Sequence, residues 1–281
     1  MKFLKFYFYL GLIPVIFAGC SSFHIQVFET KPINADIVTT GENFVFENDS
    51  IKLTYSFWGD KGVLTYSLEN KLDKPIYVDW KSSSFIINGK KFDYWEEKTI
   101  SNTVTTGSST ELTYRIPYKY YTVSVSSQGF ESRSNSVTEK PEKSTFIPPH
   151  SYMEKMTFLI YPYDYFDLNC NSAKTEMESS RDNPKKKTKV YATNFEEKNS
   201  PIKFRNYLSF SFSEDGSKAF HLDNGFYVSG IKEVSRKYFR GKRVGRVDGN
   251  PTYETPMINM KNFYVEILFP RDNFNRRNKC K

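Results

Sequence analysis

The sequence predicts an all-β protein, an antiparallel β-sandwich elaborated by long loop insertions. Apolar residues recur at every second position in several short segments, turn-forming residues separate these segments, and no stretch of ten or more residues has a convincing helical period. Phe, Tyr and Trp number 25, 20 and 3 among 281 residues, which is enough to fill a sizeable core. Extended disorder, which needs few aromatic residues, is therefore excluded.

The clearest pair of strands lies around residue 60. In residues 51–57 the odd positions are apolar and the even positions polar, until Trp58 breaks the alternation. Gly59-Asp60-Lys61-Gly62 then supplies a turn, and residues 63–69 alternate again. This pattern predicts a hairpin with one buried face on each strand.

A second hairpin is expected around Asn88-Gly89. Residues 76–80 alternate after a turn-rich break, and residues 85–87 and 90–92 flank the Asn-Gly pair. Asn-Gly is the pair that best accepts positive φ at both central positions of a type I′ turn.

Alternation predicts further strands at residues 155–160, 207–213, 219–222, 226–234 and 263–269. Residues 96–144 lack an apolar period and are predicted as an inserted loop or a long hairpin, with possible strands at 111–116 and 120–125. Residues 171–200 are predicted as a second polar break. Asp223-Asn224-Gly225 is predicted as a tight turn, because most ligand positions of a calcium loop are missing.

Residues 44–94 resemble the immunoglobulin-like sandwich domains of bacterial envelope proteins. In these domains a strand, an N-x-x-x-K-P-type corner (here residues 70–75) and another strand recur. The resemblance implies an immunoglobulin-like sandwich and no particular activity. The Cys…Trp…Cys spacing of true immunoglobulin domains is absent, because Cys170 is the only cysteine between residues 21 and 279.

The first twenty residues have the layout of a secretory signal. Lys2 and Lys5 precede an apolar run at residues 6–18, which is too short for a bilayer span of about 20 residues. The end of this segment, Phe17-Ala18-Gly19-Cys20, resembles the lipobox of bacterial lipoproteins. This resemblance implies diacylation of the Cys20 sulfur, cleavage before Cys20 and subsequent N-acylation, so that palmitate-like chains would anchor the protein to a membrane.

These features predict a signal peptide at residues 1–19, a lipidated tether at 20–43 and a β-sandwich domain at 44–281. A split of the sandwich near residue 200 stays open, and one elaborated domain is favoured. His24 falls in the predicted tether, where it is expected to be solvated. The expected location is the bacterial cell envelope, on the periplasmic or the surface face.

The chain is basic, with a formal charge of +8 that becomes +6 when Lys2 and Lys5 leave with the predicted signal. Nucleic acid is not an expected partner of an exported protein. Anionic lipid headgroups or polyanionic envelope polymers are the expected acidic counterparts.

Residues 236–246 form the strongest local charge feature, with Tyr238 and Phe239 interleaved among cations and no acid. Surfaces that bind polyanions combine salt contacts with stacking in this way. The alternative is a solvated loop with two core-facing aromatic residues. The candidate polyanion-binding residues are Arg236, Lys237, Arg240, Lys242, Arg243 and Arg246.

The sequence favours a non-enzymatic protein without a cofactor or metal, because it lacks zinc, P-loop, Rossmann and G-x-S-x-G motifs. The sharpest catalytic candidate is Cys170 as a nucleophile, with His150 or His221 as its base. The alternatives for Cys170 are a structural thiol and a disulfide with Cys280.

The leading functional hypothesis is a lipid-anchored envelope protein that binds a partner protein or an envelope polymer through the sandwich loops. The alternative is a glycan-binding accessory lipoprotein, with the aromatic residues of 161–166 and 118–121 as stacking platforms. An exported hydrolase is the third hypothesis.

Overall fold

The computed structural model describes residues 24–96, 100–102, 137–139, 142–168, 174–180, 183–214, 216–247, 249–255 and 257–267. These residues form strands, one short helix, α1 (Arg236–Arg240), and a single 3₁₀ turn, Glu197–Asn199. In chain order the strands are β1 (His24–Pro32), β2 (Ile37–Thr40), β3 (Asn43–Glu47), β4 (Ile51–Ser56), β5 (Val63–Asn70), β6 (Ile76–Ile87), β7 (Lys90–Asp93), β8 (Ile100–Asn102), β9 (Val137–Glu139), β10 (Ser144–Ile147), β11 (Tyr152–Leu159), β12 (Lys174–Ser180), β13 (Asn183–Asn194), β14 (Lys203–Ser211), β15 (Phe220–Ser235), β16 (Arg243–Val247), β17 (Asn250–Tyr253) and β18 (Phe263–Ile267).

Two antiparallel sheets enclose the core. The larger has the order β10-β6-β14-β15-β1-β18, with β7 paired to β6 and the β12–β13 hairpin paired through β13 to β15. The smaller has the order β11-β5-β4-β3-β2. Their facing side chains, mainly aromatic and branched aliphatic, form one large buried cluster. The predicted all-β antiparallel sandwich is therefore confirmed.

The two predicted hairpins are confirmed. Strands β4 and β5 pair antiparallel, with Leu53 opposite Leu68 and both fully buried. Strands β6 and β7 pair across Asn88 and Gly89, whose φ values of 47° and 81° are both positive, as a type I′ turn requires. The segments predicted as separate strands at 76–80 and 85–87 form one strand, β6, with an irregular step where it pairs with β14.

The prediction of a tether at residues 20–43 is wrong from His24 onward. Strand β1 lies between β15 and β18 in the larger sheet, and His24 at its start is half-buried rather than solvated. The segment looks polar partly because of Gln26, which is fully buried. The Gln26 amide accepts a bond from the Phe166 backbone N–H at 2.9 Å and donates to the Phe166 carbonyl at 2.8 Å. Residues 20–23 lie outside the described part of the chain.

Residues 171–200, predicted as a polar break between strands, contain the hairpin of β12 and β13, so the prediction is wrong for those strands. Residues 174–177 of β12 are exposed, and such a strand has no apolar alternation. Asp223-Asn224-Gly225 is not a turn either, because it lies inside β15, which unites the strands predicted at 219–222 and 226–234. The strands predicted at 111–116 and 120–125 lie outside the described residues.

Residues after 200 supply β14, β15 and β18 to the same sheet as β1 and β6. Strand β14 lies between β6 and β15, and β18 pairs with β1. The first and last described strands therefore meet at one edge of the sandwich, and the candidate site forms at this edge.

A polar network crosses the middle of the core. The Tyr55 hydroxyl accepts hydrogen bonds from the side-chain amides of Asn206 at 3.2 Å and Asn224 at 3.0 Å. The Tyr94 hydroxyl donates to Asn206 Oδ1 at 2.6 Å. Burial raises the pKa of Tyr55, Tyr66 and Tyr94, which therefore stay neutral at physiological pH.

The corner between β5 and β6 is organised by Asn70, which is fully buried. Its side-chain amide donates to the carbonyls of Lys74 at 2.8 Å, Ile147 at 3.0 Å and Pro148 at 3.0 Å. Its Oδ1 accepts the Leu72 N–H at 3.0 Å. One side chain thus satisfies backbone groups of the corner and of the connection from β10 to β11.

Candidate ligand-binding site

The turn after β4 positions the first wall of the site. Gly62 approaches Phe263 so closely that an added Cβ would lie 2.7 Å from the ring, and its φ is 68°. The Lys61 N–H donates to the Tyr264 carbonyl at 2.6 Å, and the Tyr264 N–H donates to the Gly59 carbonyl at 3.1 Å. The turn therefore pairs with the outer edge of β18 and places Trp58 beside Tyr264, with ring centroids 5.2 Å apart.

Helix α1 supplies the second wall. The Ser235 hydroxyl accepts the Tyr238 N–H at 3.3 Å and so caps the helix. Phe239 is buried, with its ring 5.9 Å from Trp58 and 4.9 Å from Tyr264. These three rings pack beside a small apolar cluster formed with Ile25, Val27, Val190 and Val234, separate from the main core.

The hairpin of β16 and β17 closes the third side. Two backbone bonds tie the chain after β17 to α1 and the residues that follow it: Thr255 N–H to the Arg240 carbonyl at 3.0 Å, and Glu254 N–H to the Lys242 carbonyl at 3.0 Å. All five residues of β16 are exposed. The hairpin therefore stands away from the sandwich and leaves a gap in front of the aromatic walls.

A pocket of about 460 Å³ fills this gap. Its volume lies in the range of small-molecule sites, and its lining combines apolar and polar groups. The aromatic lining residues are Trp58, Phe239, Tyr253 and Tyr264, the charged ones are Arg240 and Glu266, and the others are Asn250, Pro251, Thr255 and Ile258.

One carboxylate faces two guanidinium groups at this pocket. Glu266 Oε2 is 3.5 Å from Arg236 Nη2, and Glu266 Oε1 is 3.9 Å from Arg240 Nη2. The Arg240 guanidinium also lies over the Tyr253 ring, 5.3 Å from its centroid. Stacking and charge together fix the orientation of the Arg240 side chain.

Tyr264 is the titratable phenol of the pocket. Burial raises its pKa, and the negative charges of Asp60 and Glu266 raise it further, against the opposing effect of Arg240. The hydroxyl is therefore protonated at neutral pH and can donate a hydrogen bond to a ligand.

The fold divides the predicted basic cluster into two groups. Arg236 and Arg240 on α1 lie near Glu266 and are half-buried. The interleaved aromatic residues point largely inward, since Phe239 is buried and Tyr238 is half-buried. The other four cations are exposed, on α1 and on or next to β16: Lys237, Lys242, Arg243 and Arg246.

The glycan platform predicted at residues 161–166 is mostly packed inward. Tyr161 and Phe166 contact the buried Phe28, with ring centroids 5.3 Å and 6.3 Å away. Tyr163 is 57% exposed. The second predicted platform, residues 118–121, lies outside the described residues.

Cys20, Cys170 and Cys280 all lie outside the described residues, so the pairing of Cys170 with His150, His221 or Cys280 lies outside them as well. His150 Nε2 is 2.7 Å from the exposed Asp73 carboxylate, and the His221 ring stacks on Tyr207. Within the residues that the structure describes, no group of three or more His, Cys, Asp or Glu side chains is placed to hold a metal ion.

Sequence reasoning missed most of the pocket. The sequence pattern marks Trp58 as unusual, because it occupies a position where the alternation that begins in β4 predicts a polar residue. No sequence pattern marks Tyr253, Tyr264 or Glu266, since these residues reach the pocket only through the pairing of β18 with β1 and of β17 with β16.

Comparisons with protein-family models, with curated proteins and with solved structures find no match to this chain. Among the described residues, no helix is long and apolar enough to span a bilayer.

Proposed function

We propose that this chain is a non-enzymatic, lipid-anchored protein of the bacterial cell envelope that binds an anionic envelope polymer. The observation that carries the proposal is the aromatic pocket of about 460 Å³, together with the exposed cations of the neighbouring elements α1 and β16. Anchoring rests on the lipobox-like residues ending at Cys20. We expect the wild type to incorporate labelled palmitate and a Cys20→Ser variant to incorporate none. Equal labelling of the two proteins would contradict the lipid anchor.

The pocket favours a polymer over a flat protein partner. A concave, aromatic-lined site of this volume has room for a ring-sized unit, whereas protein interfaces of standard size bury about 800 Å² on each partner. The exposed cations on α1 and β16, the elements next to the pocket, add positive charge to this part of the surface, which attracts a chain of negative charges.

The proposal predicts salt-sensitive retention of the full-length protein on a heparin resin. A triple variant, Lys242→Gln with Arg243→Gln and Arg246→Gln, should elute at lower salt. The slope of log affinity against log salt should fall by about two to three, because each cation that meets an anion releases close to one counterion.

The matched control neutralises three exposed cations elsewhere on the sandwich, Lys81→Gln, Lys174→Gln and Lys198→Gln. It has the same net charge as the first variant and should elute near the wild type. Equal losses in the two variants would reduce the effect to net charge and overturn the proposed binding surface.

A further inference from the structure

We infer that the pocket takes a sugar ring that bears an anionic group, and that Arg240 is the residue that selects this group. The inference rests on the proposed function and specifies its ligand. It uses three features of the pocket: the aromatic walls, the polar groups between them and the placement of the Arg240 guanidinium.

The walls suit a sugar ring. A pyranose has faces of C–H groups that pack on aromatic rings and a periphery of hydroxyls that need hydrogen bonds. Trp58, Tyr253 and Tyr264 are half-buried, so each keeps an apolar surface toward the pocket. The side chains of Asn250 and Glu266 line the same space and supply amide and carboxylate partners for hydroxyls.

Arg240 gives the preference for an anion. Its Nη2 is 3.9 Å from Glu266 Oε1, too long for a hydrogen bond, whereas Arg236 approaches the same carboxylate to 3.5 Å. The guanidinium of Arg240 therefore keeps donors for a ligand at the pocket wall. Because the group is planar and held over Tyr253, it can present two parallel N–H groups to a carboxylate or phosphate.

The anionic group has two chemical sources, the carboxylate of a uronic acid and a phosphate ester. Both match a guanidinium fork, so the geometry defines the shared chemistry. Calorimetric titration of the full-length protein in detergent micelles separates them with three probes: neutral galactotetraose, tetragalacturonate and galactose 1-phosphate.

The wild type should bind at least one acidic probe about tenfold more tightly than galactotetraose, the ratio expected for one added charge-assisted contact. Arg240→Gln should lose this preference and bind the acidic and neutral probes alike. Arg240→Lys keeps the charge without the planar fork and should keep only part of the preference. Arg205→Gln, which removes an exposed arginine paired with Asp223 on the larger sheet, is the matched control and should bind as the wild type does.

Equal affinity of the wild type for all three probes, or an undiminished preference in Arg240→Gln, would overturn the inference. The affinities of the wild type for the three probes test the inference even if Arg240→Gln fails to fold. Salt-sensitive retention on heparin together with no binding of any sugar probe would overturn the inference and leave the proposed polymer binding standing. If the protein neither shows salt-sensitive retention on heparin nor binds any sugar probe, both the inference and the proposed polymer binding are overturned.

Discussion

Replacing Gly62 with alanine is expected to lower the free energy of unfolding by about 3 kcal/mol, the sum of backbone strain and overpacking. The φ of Gly62 is 68°, and an added Cβ would lie 2.7 Å from Cγ of Phe263. Phe263 is fully buried and stacks on Phe28 at 4.6 Å, so its ring has little room to move aside. Urea denaturation should show a lower midpoint with an unchanged slope.

Gly89→Ala is the matched control. Gly89 also has positive φ, 81°, but no atom lies within 4 Å of an added Cβ. Backbone strain alone should cost about 1 kcal/mol there. A loss at Gly62 no larger than the loss at Gly89 would contradict the close approach of the turn to β18, and with it the placement of Trp58 beside Tyr264.

Alkaline pH is expected to unfold the protein steeply through three tyrosines of the core, of which Tyr55 and Tyr66 are fully buried and Tyr94 packs against them. An ordinary tyrosine ionises near pH 10, and burial raises the pKa of Tyr55, Tyr66 and Tyr94 above that value. Their contribution to stability is complete below pH 10 and is lost as the pH rises toward the raised values, because only the unfolded chain releases these protons. With three such groups the free energy of unfolding should fall by about 4 kcal/mol per pH unit above pH 10.

Urea denaturation at successive pH values, followed by tyrosinate absorbance, measures this slope. Tyr66→Phe removes one of the three groups and should reduce the slope by about a third. Tyr163→Phe removes a tyrosine that is 57% exposed and should leave the slope unchanged. Identical slopes in Tyr66→Phe and the wild type would contradict the account of the core.

The sequence predicts those strands that have one face buried in the core and the other turned toward solvent. Strands β4, β5 and β18 have this property, so alternation alone predicts which of their residues face the core. Alternation does not predict strand β1, because Gln26 is polar and yet buried, and its hydrogen-bond partner Phe166 is distant in the chain. Alternation does not predict strand β12 either, because its described side chains are exposed and need not be apolar.

The candidate site was predictable only in its charge. Residues 236–246 stood out as basic, but their division into inward and outward groups depends on Glu266, which β18 brings to α1 from a distant part of the chain. The pocket likewise combines Trp58 with Tyr253 and Tyr264. No local pattern in the sequence connects such residues, because tertiary packing alone sets their distances.

The central claim is that a ligand occupies the pocket lined by Trp58. The chain has three tryptophans, so a nitrogen-15 spectrum of the full-length protein has three indole N–H signals, assigned by tryptophan-to-phenylalanine variants. Titration with the acidic probe that binds, tetragalacturonate or galactose 1-phosphate, should shift the Trp58 signal and leave that of Trp80, which is 3% exposed and donates to Thr145 Oγ1 at 2.8 Å. A shift at Trp80 without one at Trp58, or no shift at a saturating ligand concentration, would contradict it.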